Sequence, residues 1–95
     1  MCDLESLLEQ CERDTARLLN QGAANRLAAW HHYRNDQPEL VAFIQRVIRG
    51  EHRTNGWELD RKGGLSLERI VVEKCPNLFT QDDIHEAKAT LGIVD

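Results

Sequence analysis

The sequence predicts an all-α fold, a single small bundle of about five helices with one loop or short hairpin near residues 51–64. Apolar residues recur at spacings of three and four in several segments, as on one face of a helix. Capping residues precede most of these segments. A chain of 95 residues, 41% hydrophobic and 29% charged, has the size and composition of one globular domain spanning 1–95.

The first helix is predicted over residues 3–21, with Asp3 as its N-cap and Glu5 near the positive end of the helix dipole. Gly22 is the expected stop. The helix carries one apolar stripe, formed by Leu4, Leu7, Leu8, Cys11, Thr15, Leu18 and Leu19.

The second helix is expected over residues 23–34, and it ends before Pro38 because the residue before a proline avoids helical geometry. The third begins with a strong signal, since Asp36 caps it, Pro38 occupies the first turn and Glu39 completes a capping box. It is the most apolar helix and should form the centre of the core, ending at Gly50. Its apolar residues are Leu40, Val41, Phe43, Ile44, Val47 and Ile48.

Residues 51–64 break the helical pattern. Asn55-Gly56 is the preferred pair for a tight type I′ turn, and Trp57-Glu58-Leu59 alternates as a strand does. A short hairpin or an ordered loop is therefore expected here, with Gly63-Gly64 as a hinge.

Two short helices complete the chain. Ser66 is the expected cap of the helix at 67–75, and Thr80 caps the helix at 81–91 with Asp83 at the third position and Gly92 at the end. Neither helix is long enough to be stable alone, so both should pack as a hairpin onto the third helix.

The net charge of −4 argues against a protein that binds nucleic acid through general attraction to phosphates. The two last predicted helices, 67–75 and 81–91, have the layout of a DNA-reading helix-turn-helix, in which residues 77–92 would contain the second helix. The exposed positions of the leading turns, however, are predicted to be acidic or neutral, and carboxylates there would repel phosphates. The last helix is therefore interpreted as structural. Those positions are Gln81, Asp82, Asp83 and Glu86.

No catalytic, cofactor-binding or metal-binding residues are predicted. His31 and His32 are adjacent and point about 100° apart on a helix, there is no C-x-x-C motif, and no phosphate loop or nucleophile elbow is present. A metal site would need an unforeseen fold to bring together His32, His52, Cys75 and His85.

Location is predicted to be cytoplasmic. The first residues contain acids where a secretory signal has bases, and no apolar run reaches the length of a membrane span. Three cysteines cannot all pair within one chain, which favours a reducing compartment, and Cys11 in the leucine stripe is interpreted as a small buried hydrophobe.

Partner binding is the predicted activity: a small intracellular regulatory, adaptor or inhibitor protein that occludes or tethers another protein without catalysis. The first helix is a possible homodimer surface, although packing within the chain explains its stripe equally well. The alternative is a nucleic-acid-associated regulator that uses the basic middle, residues 26–62. The candidate partner-binding residues are of the types enriched at interfaces: Arg26, Trp30, Tyr33, Arg34, Arg46 and Arg49.

Overall fold

The computed structural model describes residues 2–50 and 56–93, and these form an all-α fold without strands, as the sequence predicts. The helices are α1 (Leu4–Leu18), α2 (Gln21–Leu27), α3 (Gln37–Ile48), α4 (Gly56–Arg61), α5 (Leu67–Arg69) and α6 (Gln81–Leu91). A 3₁₀ segment, Ala28–Tyr33, continues α2. A π-helical segment, Ile70–Lys74, continues α5, and a 3₁₀ turn, Pro76–Leu78, leads towards α6.

Local capping explains where most helices begin. The side chains of Asp3, Asp36 and Ser66 each accept a hydrogen bond from a backbone N–H of the following turn, as predicted. The predicted box at the start of α6 is complete, since Thr80 accepts from the Asp83 N–H and Asp83 accepts from the Thr80 N–H.

The boundary between the first two helices was predicted wrongly. The Asn20 side chain accepts a hydrogen bond of 2.7 Å from the Ala23 N–H, so α2 begins at Gln21 and Gly22 lies inside its first turn. An asparagine cap is a stronger signal than a glycine stop two residues later. Gly92, by contrast, ends α6 with a φ of +75°, a conformation that glycine adopts without steric cost.

The expected hairpin or ordered loop is wrong for residues 56–61. Gly56–Arg61 forms helix α4, whereas residues 51–55, including Asn55 of the predicted Asn55-Gly56 turn, lie outside the described residues. Leu59 of α4 points into the core and Trp57 points out. The alternation of these two apolar residues fits a single helical turn as well as a strand, which explains the error.

The core is centred on α3, as predicted. The stripe of α1 packs into the same cluster, and Trp30 of the 3₁₀ segment is fully buried within it. A disulfide joins Cys2, beside the start of α1, to Cys75 after the π-helical segment, with Cα atoms 5.7 Å apart. Cys11 is a free, buried cysteine. The buried residues of α3 are Leu40, Phe43, Ile44, Val47 and Ile48.

Candidate functional site

Trp30, one of the predicted partner-binding residues, is buried in the core and does not form part of an exposed surface. Its ring is 0% exposed, and its indole N–H donates a hydrogen bond of 2.9 Å to Glu12 on α1. The Arg34 guanidinium covers the ring, with Cζ 4.5 Å from the ring centroid. Arg34 also forms ion pairs of 3.5 Å with Glu5 and 3.4 Å with Glu9. This arginine therefore binds the end of the 3₁₀ segment to α1.

Tyr33 and Arg46 form an accessible pair between the 3₁₀ segment and α3. An Arg46 guanidinium N–H donates a hydrogen bond of 3.3 Å to the Tyr33 hydroxyl, and Cζ lies 5.8 Å from the ring centroid. Arg46 lies on the outer face of α3, which we call the α3 face. The residues of this face recur at spacings of three and four and line a shallow depression of about 360 Å³. They are Ala42, Gln45, Arg46 and Arg49.

Arg49 joins the α3 face to a buried carboxylate. Its guanidinium pairs with Asp83 of α6, while Gln45 donates a hydrogen bond of 2.7 Å and the Thr80 N–H one of 3.0 Å to the same carboxyl group. Burial by itself would raise the pKa of Asp83, but the hydrogen bonds from Gln45 and Thr80, with the charge of Arg49, lower the pKa below its ordinary value. The positive charge of Arg49 on the α3 face is therefore compensated by Asp83.

The same contacts correct a prediction about α6. Asp83 was expected to be exposed with its neighbours, yet it is 0% exposed because the third residue of this capped helix faces α3. Gln81, Asp82 and Glu86 are exposed as expected. The leading turns therefore present fewer carboxylates to a partner than predicted, and Asp83 stabilises the fold instead.

Arg26 stands apart from the other predicted residues. It is exposed on α2, and among the described residues no hydrogen bond or ion pair connects it to Tyr33, Arg46 or Arg49. The structure therefore brings together Tyr33, Arg46 and Arg49, uses Trp30 and Arg34 to build the fold, and leaves Arg26 separate.

The outer side of α4 lies within the basic middle segment, residues 26–62, but none of its residues is among the predicted partner-binding residues. Trp57 is 50% exposed, more than any other large hydrophobic residue of the described ranges, and Arg61 stacks over its ring with Cζ 4.8 Å from the centroid. Lys62 pairs with Glu58 at 3.4 Å and donates a hydrogen bond of 3.2 Å to the Leu18 carbonyl. We call this surface, with its depression of about 320 Å³, the α4 face. It consists of Trp57, Glu58, Arg61 and Lys62.

A signal for the α4 face is present in the sequence. Trp57 and Arg61 are four residues apart, the spacing that places two side chains on one side of a helix. The Asn55-Gly56 pair instead favoured a hairpin, in which these side chains would not stack.

The reactive residue types are dispersed or engaged in the described part of the chain. His31 contacts Glu12 at 2.7 Å, whereas His32 and His85 are exposed. Burial raises the pKa of the Cys11 thiol to about 12, which keeps this cysteine protonated and unreactive. Within residues 2–50 and 56–93, no group of three or more His, Cys, Asp or Glu side chains is placed to hold a metal ion.

Comparisons with protein-family models, with curated proteins and with solved structures give no match to this chain. Across the described ranges, every helix is too short or too polar to cross a membrane.

Proposed function

We propose that this chain is a small regulatory, adaptor or inhibitor protein that binds another protein, occludes or tethers it, and catalyses no reaction. The observation that carries the proposal is the half-exposed Trp57 with Arg61 stacked on it. An exposed tryptophan leaves a large apolar area in water, and covering that area would favour association. Tryptophan and arginine are also the residue types that contribute most often to protein interfaces.

The chemistry of the α4 face indicates which kind of partner surface would fit it. Glu58 is paired with Lys62, while Arg61 adds a cation beside the ring. A complementary surface would offer an apolar pocket for Trp57, bordered by a carboxylate that reaches Arg61.

Several cations of the described chain are already paired internally, which favours a protein partner over nucleic acid. Arg34 contacts Glu5 and Glu9, and Arg49 contacts Asp83. Cations engaged in this way release fewer counterions from a phosphate backbone. The net charge of −4 acts in the same direction.

The experiment compares immobilised wild-type protein with the Trp57→Ala and Arg61→Ala variants in extracts of the native host. A specific partner should bind wild type and the Arg26→Ala control, and both α4-face variants should lose it. Purified partner should then bind at least tenfold more weakly to Trp57→Ala, as expected for loss of an interface hot spot. Retention of the partner by both α4-face variants would refute this assignment.

Nucleic acid is the second candidate, because an exposed tryptophan beside Arg61 and Lys62 resembles a stacking site for a single strand. A salt titration of binding to mixed-sequence DNA and RNA separates the two candidates. A steep salt dependence that becomes shallower in Arg46→Ala and Arg49→Ala would favour the regulator that uses residues 26–62.

Location and self-association are parts of the proposal with their own tests. A cytoplasmic location predicts that Cys2 and Cys75 are reduced in the cell, whereas the structure joins them. Acid quenching of cells, followed by alkylation in denaturant at neutral pH, would count the free cysteines. The stripe of α1 is used in the chain's own core, so a homodimer through α1 would have to use the polar edges of this helix. Light scattering over a range of concentrations measures whether a dimer forms.

A further inference from the structure

Glu68, in the first turn of α5, is a buried carboxylate with incomplete hydrogen bonding. The residue is 3% exposed, and its Oε1 atom has no hydrogen-bond partner among the described residues. Buried polar groups are nearly always paired, and an unpaired one is costly when it carries a charge. This carboxyl group is therefore a candidate for a role other than stabilisation.

The backbone of α4 rests directly on this carboxyl group. A Cβ atom built on Gly56, the first residue of α4, would lie 2.7 Å from Oε2 of Glu68 and closer still to Oε1. A side chain at position 56 would therefore force the first turn of α4 or the Glu68 carboxyl group to shift. Because the carboxyl group is buried against this turn, water can reach it at this contact only if the turn or the Glu68 side chain moves.

Few charged groups surround Glu68. From α4, Asp60 adds a like charge, and Arg69 does not compensate because it is bound to Asp60 at 2.9 and 3.0 Å and to Glu73 at 2.9 Å. From α1, the nearby titratable group is the protonated Cys11 thiol. From α3, α6 and the π-helical segment, no side chain of the described residues is among the charged groups that act on Glu68.

Burial raises the pKa of Glu68 to about 7. The hydrogen bond from the Glu68 backbone N–H opposes this increase in part, and the charge of Asp60 adds a smaller increase. The same carboxyl group in water would have a value of 4.5. Its protonation state therefore changes near neutral pH only while it is buried.

The two ends of α4 are held differently. The second half is fixed by the buried side chain of Leu59, by the paired hydrogen bonds from Arg69 to Asp60 and by Lys62 on the Leu18 carbonyl. In the first half, Gly56 packs on Glu68 and the Trp57 side chain is half exposed. A disturbance at Glu68 would therefore act mainly on the first turn.

We propose that Glu68 is a proton-controlled contact: the neutral carboxylic acid lets the first turn of α4 pack in place, and the carboxylate displaces this turn and moves Trp57. The carboxylate form gains water when the turn moves away, which stabilises the displaced state. The inference does not depend on any partner of the α4 face, and it is tested in the isolated protein.

The test follows the wild-type protein from pH 4.5 to 8.5 by NMR. The side-chain carboxyl carbon of Glu68 should titrate with a midpoint near 7, and the Trp57 indole signal should shift with the same midpoint while that of Trp30 does not. Amide protection factors in α4, corrected for the intrinsic exchange rate, should fall about tenfold per pH unit between pH 5 and 7 and level off above 7. A midpoint below 5 for the titration of the Glu68 carboxyl carbon would refute the proposal, and this measurement needs no variant.

Two matched variants locate the effect. Glu68→Gln keeps the shape but not the titration, so the α4 protection factors should become independent of pH. Glu73→Gln removes one exposed carboxylate that also contacts Arg69 and should leave the pH dependence intact. If Glu68→Gln retains the wild-type dependence, or if α4 becomes better protected as pH rises, the proposal is wrong, whatever the outcome of the partner experiments.

Discussion

Asp83 and Glu68 are two acids in comparable positions with opposite surroundings. Both lie in the first turn of a helix behind a hydroxyl cap, and both are buried, at 0% and 3% exposure. Asp83 receives hydrogen bonds from Gln45 and the Thr80 N–H and an ion pair from Arg49, whereas Oε1 of Glu68 receives none. The two carboxyl groups are therefore buried to nearly the same extent, but they differ in their hydrogen-bond and ion-pair partners.

The difference shows that partners, rather than burial, set the charge state. The pKa of Asp83 is lowered below its ordinary value, so the carboxylate is the stable form in the fold. The pKa of Glu68 is raised to about 7, so the neutral acid is favoured. One carboxylate fixes α6 to α3, and the other makes the packing of α4 sensitive to protons.

Removal of the Asp83 carboxylate should have the largest effect. Asp83→Ala should lower the free energy of unfolding by about 4 kcal/mol, because it removes the helix cap and charge-assisted hydrogen bonds at a buried site. Asp83→Asn should lose about half as much, since the amide oxygen still accepts the bond from Thr80. Urea unfolding at pH 7 measures both variants. A loss below about 1 kcal/mol for Asp83→Ala would show that the network contributes little.

The pH dependence should distinguish the two acids next. Because folded Glu68 holds its proton from pH 4.5 to about 7 while the unfolded chain does not, the free energy of unfolding should fall as pH rises through this window. The free energy of unfolding should fall by at most about 3 kcal/mol over this window, because movement of α4 hydrates the carboxylate and relieves part of the loss. For Asp83 the pH dependence has the opposite sign because its pKa is lowered in the fold. Its contribution to the free energy of unfolding is present at neutral pH and is lost as pH falls below the ordinary pKa of 3.8.

Urea unfolding from pH 4.5 to 8.5 checks the pH prediction. Glu68→Gln should remove most of the decline towards neutral pH and should be more stable than wild type at pH 8. An unchanged decline in this variant would assign the pH dependence to other groups.

A smaller effect is expected at Gly56. Gly56→Ala should cost about 2 kcal/mol, because the new methyl group collides with the Glu68 carboxyl group. The cost should largely vanish when Glu68 is also replaced by alanine, and a double-mutant cycle of unfolding free energies measures the coupling. Gly63→Ala is the matched control, since Gly63 has a φ of +85° and open space around it, and its cost should be equal in both backgrounds.

The smallest effect is expected at Arg49. Its side chain is 50% exposed, so solvent screens the ion pair with Asp83, and Arg49→Ala should cost about 1 kcal/mol. The cost should decrease at high salt. Unfolding experiments at low and high salt measure this, and a loss as large as that of Asp83→Ala would mean that Arg49 alone keeps Asp83 charged.

Local signals in the sequence were sufficient for the caps and the central helix. Asp36, Ser66 and the Thr80 and Asp83 pair act within four residues of themselves, so their roles depend little on the rest of the fold. The inward face of α3 follows from its apolar periodicity for the same reason.

The remaining features depend on tertiary contacts. The helix α4 is only six residues long and exists because Leu59 and Asp60 are bound by other elements, which no local pattern reveals. The burial of Asp83 requires Gln45 and Arg49 from a helix more than thirty residues earlier. The surroundings of Glu68 depend on tertiary contacts for the same reason, whereas the α4 face was missed because the Asn55-Gly56 pair favoured a hairpin.

The link between Cys2 and Cys75 makes the first five helices part of one covalent ring. Within the described residues, α6 is the helix that follows this ring, so noncovalent contacts alone return it to the body. Asp83 and the buried Ala87 supply such contacts. In mechanical or chemical denaturation, α6 can therefore separate from the ring without breaking a bond, whereas the helices before it remain tied together until the disulfide is reduced.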